Sequence, residues 1–214
     1  AVAMPWVNEV PAIVEAWYGG TEAGNAIASV LAGEVNPSGK LPFTFPVRLE
    51  DNPAIALDAY PGDGKQVEYK EGIFVGYRWN DRERIKPLFC FGHGLSYTTF
   101  EYGKVTAEGR QMGPDGTITV SVPVKNTGSR AGAEIVQLYV SDLKSSLPRP
   151  VKELKGFRKI TLQPGQEQTV SFTIDRKALS FYDDWVAEPG AFEALVGASA
   201  CDIRGKAAFE LTAR

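Results

Sequence analysis

The sequence predicts a mixed chain, α/β plus all-β: an α/β portion with one amphipathic helix, then an extended arm, then an immunoglobulin-like β-sandwich. Three observations predict it. Helical apolar spacing occurs once, near residues 21–33, whereas apolar and polar residues alternate repeatedly in the second half. The 22 glycines and 14 prolines, about a sixth of the chain, supply many turns between short strands. At roughly 150 residues per domain, 214 residues allow one large domain or two small ones, and two suit this division better.

Residues 1–46 form the α/β portion. The opening AVAMPWVNEVPA has no initiator methionine, basic n-region or long apolar run, so it carries no visible signal peptide. It reads as a chain that begins inside an element already under way, with something preceding it. AIVEAWY at residues 12–18 is β-branched and aromatic and predicts a buried strand, the alternative being the end of a helix begun at Asn8. Thr21 can cap a helix in which Ala23, Ala26, Ile27, Val30 and Leu31 follow helical spacing, with Gly33 as its left-handed terminator. NPSGKLP at residues 36–42 combines two loop signals and closes the unit.

Residues 47–100 have few periodic apolar segments but many prolines, glycines and aromatics, and read as an extended connecting arm. From residue 101 to 214 the alternation is clean. Ile118, Val120, Val122 and Val124 face one way, and the pattern recurs in Val136, Leu138 and Val140, in Val170, Phe172 and Ile174, in Phe192, Ala194 and Val196, and in Phe209 and Leu211. NTGSRAG, QPGQ and EPG separate these strands, and Pro123 predicts an edge position for its own.

Charge and composition exclude several functions. There are 23 basic and 26 acidic side chains, interspersed rather than clustered, so nothing attracts nucleic acid. No run approaches the roughly 20 apolar residues of a membrane helix. Cys90 and Cys201 permit at most one internal disulfide and cannot build a four-cysteine metal site, and they leave the redox compartment undecided. GEVNPSGK at residues 33–40 has the wrong glycine spacing for a phosphate loop and Leu41 where Ser or Thr should bind magnesium. GLSYT lacks the closing glycine of a nucleophile elbow, and the single histidine, His93, lies only three residues from Ser96. His93 between Gly92 and Gly94 reads as a tight turn with a hydrogen-bonded imidazole. No metal and no cofactor is expected.

Carboxylates beside aromatics are the remaining candidates, because glycoside hydrolysis needs two acids about 5 Å apart for retention, or wider for inversion. Asp183 and Asp184 adjoin Phe181, Tyr182 and Trp185, but FYDDWVAEPG also reads as strand, acidic turn and strand. Glu22 suits a helix start, and Glu71 has no explanation from pattern. Trp6, Trp17, Trp79 and Tyr77 could stack on sugars or fill a core.

Taken in order, these motifs resemble the C-terminal part of glycoside hydrolase family 3, the β-glucosidase and related exo-glycosidase family. The resemblance spans nearly the whole chain. Met4-Pro5-Trp6, Ala16-Trp17-Tyr18-Gly19-Gly20 with Glu22 and Gly24, and Asn36 through Pro42 leading into Thr44-Phe45-Pro46 look like the end of the family's α/β sandwich domain. Glu71 through Trp79 followed by Phe91 through Thr98 is the most specific signature. Asn126-Thr127-Gly128, Val136 through Val140, Pro150 through Phe157 and Pro189-Gly190 look like the fibronectin type III-like domain that closes many members. Cys90 departs from the pattern, which has proline there, and is expected to change packing rather than function.

The resemblance implies residues 1–46 as the C-terminal part of an α/β sandwich domain, 47–100 as linker arm and 101–214 as the fibronectin type III-like domain. It also implies a retaining exo-acting β-glycosidase whose aspartate nucleophile lies in an N-terminal (β/α)8 barrel and whose acid/base glutamate lies upstream of the Pro-Trp motif. No catalytic residue therefore transfers to this chain, which alone is expected to be inactive. The expected partner is that barrel, carried on a second chain left by proteolytic nicking, with a recombinant or degraded piece as the other explanation. The expected substrate is an oligosaccharide or β-glucoside. Xylosidase, arabinosidase and N-acetylglucosaminidase activities fit equally. A homo-oligomer and a secreted or periplasmic location are further expectations. The alternative function is a non-catalytic carbohydrate- or protein-binding β-sandwich module.

Overall fold

A computed structural model describes residues 1–183 and 185–213. After a short 3-10 turn at Val7–Glu9, the chain reaches helix α1, Ala23–Leu31. Helices α2, Pro53–Ala56, and α3, Tyr77–Glu83, lie in the arm. Strands then follow: β1 Phe100–Tyr102, β2 Thr106–Ala107, β3 Gln111–Met112, β4 Thr117–Asn126, β5 Gly132–Asp142, β6 Glu153–Leu162 and β7 Glu167–Asp175. A one-turn helix α4, Arg176–Leu179, precedes β8, Gly190–Ser199, and β9, Asp202–Leu211.

The strands form two sheets. In the first, β4 pairs along its length with β7 on one side and with β1 and β2 on the other. The second has the order β3-β9-β8-β5-β6, antiparallel except for β3 against β9. The connections β4–β5 through NTGSRAG and β6–β7 through QPGQ pass from one sheet to the other, so the two inner faces close on each other. The alternating residues of β4, β5, β7, β8 and β9 named above all fall into one buried cluster. The predicted sandwich is present, and its period-two pattern is why.

Four local expectations need correction. Residues 12–18 form no strand; they lie exposed, and none of the described strands runs beside them to satisfy their backbone groups. Thr21 does not cap α1. The helix enters through a 3-10 turn at Gly20–Glu22, and its N-cap is Glu22, which makes no side-chain capping bond. Gly33, at φ +77°, does terminate the helix as expected. The arm is not simply extended, since α2 and α3 lie in it; Asn52 caps α2 by accepting the Ala54 N–H, with Pro53 in its first turn.

Pro123 does not mark an edge strand, because β4 is the interior strand of its sheet. The side of β4 that lacks an N–H faces the break between β1 and β2, where Gly103 donates its N–H to the Pro123 carbonyl at 2.8 Å. A Cβ on Gly103 would lie 3.1 Å from the proline ring. The interrupted neighbour accommodates the missing donor. A full-length partner strand could not.

Candidate functional site

Several of the quoted motifs meet at one place, the junction where the arm lies on the outer face of β5 and β6. Alternation would leave that face wet, yet Gln137 and Tyr139 are buried. The turn Phe91–Gly94 covers them. Gln137 Nε2 donates to the carbonyls of Gly92 (3.1 Å) and Ala198 (2.7 Å), and the Tyr139 hydroxyl donates to Gln137 Oε1 at 2.6 Å. Gly92 has φ +78°, and a Cβ there would stand 2.2 Å from Gln137 Oε1. Only glycine permits both the turn and the contact.

Helix α3 docks beside it. Tyr77 stacks on Phe91 at 5.0 Å and meets Tyr139 edge-on at 5.9 Å, while its hydroxyl accepts the Leu154 N–H. Asp81 pairs with Lys152 at 2.5 Å, and Arg78 with Glu153 at 3.2 Å. Glu153 also receives Arg149 and Lys155, and Arg149 bridges onward to Asp142. Burial would raise the Glu153 carboxyl, but Lys155, Arg149 and Arg78 outweigh it and hold the carboxyl below its usual range. Lys155 moves against what pairing with Glu153 alone would produce, because burial lowers its ammonium.

The NPSGK loop is fastened at the same junction. Asn36 Oδ1 accepts from Ser96 Oγ and the Tyr97 N–H, and its amide donates to the Ala131 carbonyl. Lys40 makes a buried ion pair with Glu134 of β5 at 3.0 Å and donates to the Gly94 carbonyl. Tyr97 reaches the Val30 carbonyl at the end of α1. On the sandwich side, fully buried Asn126 accepts from Thr98 Oγ1 and the Gly128 N–H and donates to the carbonyls of Arg130 and Leu162. These motifs are polar fasteners between segments remote in sequence.

The Cys90–Cys201 disulfide completes the junction, tying the arm to the β8–β9 turn across 111 residues. It answers the pairing question that two cysteines left open. The departure at Cys90 is thus a covalent clamp, reinforced by the Ala200 N–H to Phe91 carbonyl bond.

The remaining candidates scatter. His93 lies in the expected tight turn, but its hydrogen bonds come from its backbone; the imidazole stacks on Phe89 at 5.5 Å. Burial, helped by Lys40, lowers its pKa. Ser96 is held by Asn36 with no basic partner. Trp79 is buried and Tyr77 is packed, so both are core, whereas Trp6 and Trp17 are about half exposed. Glu22 accepts from Asn25 beside the start of α1. Asp183 lies in the turn closed by the Phe181–Val186 bridge, with exposed Tyr182 and Trp185 edge-to-face at 5.7 Å. Its expected companion Asp184 lies outside the described residues. Among the described residues no group of three or more His, Cys, Asp or Glu could hold a metal, and no helix is long and apolar enough to cross a membrane.

Sequence reasoning missed α3 as a docking helix and the buried outer face of β5. A polar-aromatic pair at Gln137 and Tyr139, flanked by valines, was the available signal.

Comparison with known proteins agrees with this geometry. The profile of the glycosyl hydrolase family 3 C-terminal domain matches residues 1–77, and that of the fibronectin type III-like domain matches residues 134–200. The chain belongs to glycoside hydrolase family 3. It is 57% identical over 216 residues to a β-glucosidase of Bacteroides ovatus, covering 98% of this chain and 29% of that protein. It is 53% identical to thermostable β-glucosidase B of Acetivibrio thermocellus, over 94% of this chain and 27% of the relative. The crystal structure of a β-glucosidase from Kluyveromyces marxianus in complex with glucose superposes with a TM-score of 0.90 at 44% identity, covering 98% of this chain and 25% of that one. This family 3 chain therefore spans between a quarter and a third of the length of these relatives. Both domain profiles lie within it, in the order the motifs predicted.

Proposed function

We propose that the chain is the C-terminal scaffold portion of a retaining, exo-acting β-glucosidase that removes terminal non-reducing β-D-glucosyl residues. Its catalytic barrel would lie elsewhere in the same protein. The observation that carries this reading is the 57% identity to a β-glucosidase over 98% of the chain. By family analogy an aspartate of the barrel attacks the anomeric carbon, and a glutamate upstream of Pro5-Trp6 protonates the leaving oxygen and then activates water. No residue of this chain is assigned to either step. The relatives contain the matching segment within longer single proteins, which favours one continuous polypeptide over the second, nicked chain expected from sequence.

Support for a scaffold comes from residues 1–35. Val2, Val10, Ile13, Val14, Trp17, Tyr18 and Leu31 are all exposed there, an apolar surface suited to packing against the rest of the enzyme. The junction would then transmit the position of that surface to the rigid sandwich, and a small displacement near a catalytic loop is costly. A location that permits disulfides, secreted or periplasmic, fits the Cys90–Cys201 bond. The test is hydrolysis of a chromogenic β-glucoside by the complete protein, by residues 1–214 alone, and by the complete protein lacking residues 101–214. Activity is expected only for the first. A hydrolytically active lone chain, or full stability and turnover after the deletion, overturns the proposal.

A further inference from the structure

A cleft of about 260 Å³ lies between the segment after the NPSGK loop and the start of α3, walled by Thr44, Asp51, Asn52, Glu71, Val75 and Asn80 among others. Two of its polar atoms, Glu71 Oε2 and Thr44 Oγ1, are buried without any hydrogen-bond partner. Asp51 is engaged by Arg48 at 2.9 Å, and Asn52 Oδ1 by the Ala54 N–H. The described residues that line the cleft thus include two carboxylates and no cation. A buried carboxylate oxygen with no donor is among the costliest groups a protein can hold, and native structures supply the donor.

The surroundings indicate where it comes from. The same wall segments expose Val47, Leu49, Ile73 and Val75, each about half accessible or more. An acidic pocket whose wall segments carry exposed aliphatic side chains is the arrangement of a protein contact in which one charged group is sequestered from water. A free metal ion would need more ligands than are gathered here. The relatives that contain a matching segment are more than three times its length, so in them there is further polypeptide to face it.

We propose that this cleft receives a basic side chain, a guanidinium or ammonium group, from another part of the polypeptide. Glu71 is its counter-ion, Thr44 accepts a second N–H, and the exposed aliphatic side chains of the wall segments help seal the pair. This inference rests on the scaffold reading and names one contact by which the scaffold holds its partner.

The test is an experimental structure of the complete protein. An arginine or lysine nitrogen within about 3 Å of Glu71 Oε2 is expected. Water, a metal ion, a sugar or an empty cleft at that position overturns the inference. In the same protein Glu71→Gln should accelerate thermal inactivation about tenfold or more, because it strands the buried cation. Glu71→Met giving unchanged or slower inactivation also overturns it, since an unpaired carboxylate would be better replaced by an apolar group. If Glu71→Gln does not accumulate, the structure of the unsubstituted protein decides alone. Hydrolysis of the β-glucoside is measured in parallel: an active enzyme with water in the cleft sinks this contact and leaves the scaffold reading standing.

Discussion

The first 35 residues are richer in apolar side chains than the β-sandwich, and the two end in opposite states. In β4, Ile118, Val120, Val122 and Val124 are each 1% exposed or less, whereas in the opening segment Met4 is the only buried residue. Burial depends on a facing surface. The sandwich brings its own, since the chain crosses repeatedly between the sheets and lays one on the other, while residues 12–18 have β-branched composition and none of the described strands beside them. The arm mediates between the two, docked on the sandwich by ion pairs, stacked rings and a disulfide.

The comparison breaks most readily in the core. Phe192→Ala removes a ring 1% exposed that stacks on Phe209 at 5.6 Å, and should cost about 3–5 kcal/mol in chemical denaturation. Reduction of Cys90–Cys201 comes next. Freeing a closure of 111 residues should cost about 3 kcal/mol, read as a lower unfolding midpoint with dithiothreitol, an effect absent from the Cys90→Ser, Cys201→Ser double variant.

A smaller effect should appear on acidification. Glu153 titrates lower in the folded chain than unfolded, so its contribution is complete above the unfolded value and is lost as pH falls through the depressed folded value. Stability should therefore drop with decreasing pH below about 4, and Glu153→Gln should flatten that limb of the pH–stability curve. An unaltered slope would mean that the cations around Glu153 do not hold α3 in solution. The smallest effect belongs to the opening segment: Val14→Asp should change the stability of residues 1–214 by about 0.5 kcal/mol or less, because Val14 is exposed. In the complete protein the same substitution should reduce thermal stability clearly. Equal, negligible losses in both settings would remove the case for a covered apolar face.

The sandwich was legible because period-two alternation reports burial on one face directly, and because Gly165 in the QPGQ turn sits where left-handed backbone is required. The edge placement of Pro123 failed for want of tertiary information: a strand interrupted at Gly103 tolerates a proline that an intact neighbour would not. Thr21 failed more locally, since the chain entered α1 through a 3-10 turn that displaced the cap.

The junction was legible as residues and illegible as geometry. Asn36, Gly92, Ser96 and Asn126 stand out in the motifs, but the contacts by which they join separate segments span about 30 to 95 positions, and no local pattern pairs those groups. The sequence by itself determined the two-part composition, the family and the inner face of each strand, because those depend on neighbours two or four residues away. Only tertiary structure decided that the outer face of β5 is covered, that Cys90 meets Cys201, and that Glu71 points into an acidic cleft with no cation of its own, because each depends on segments brought together by the closure of the whole chain.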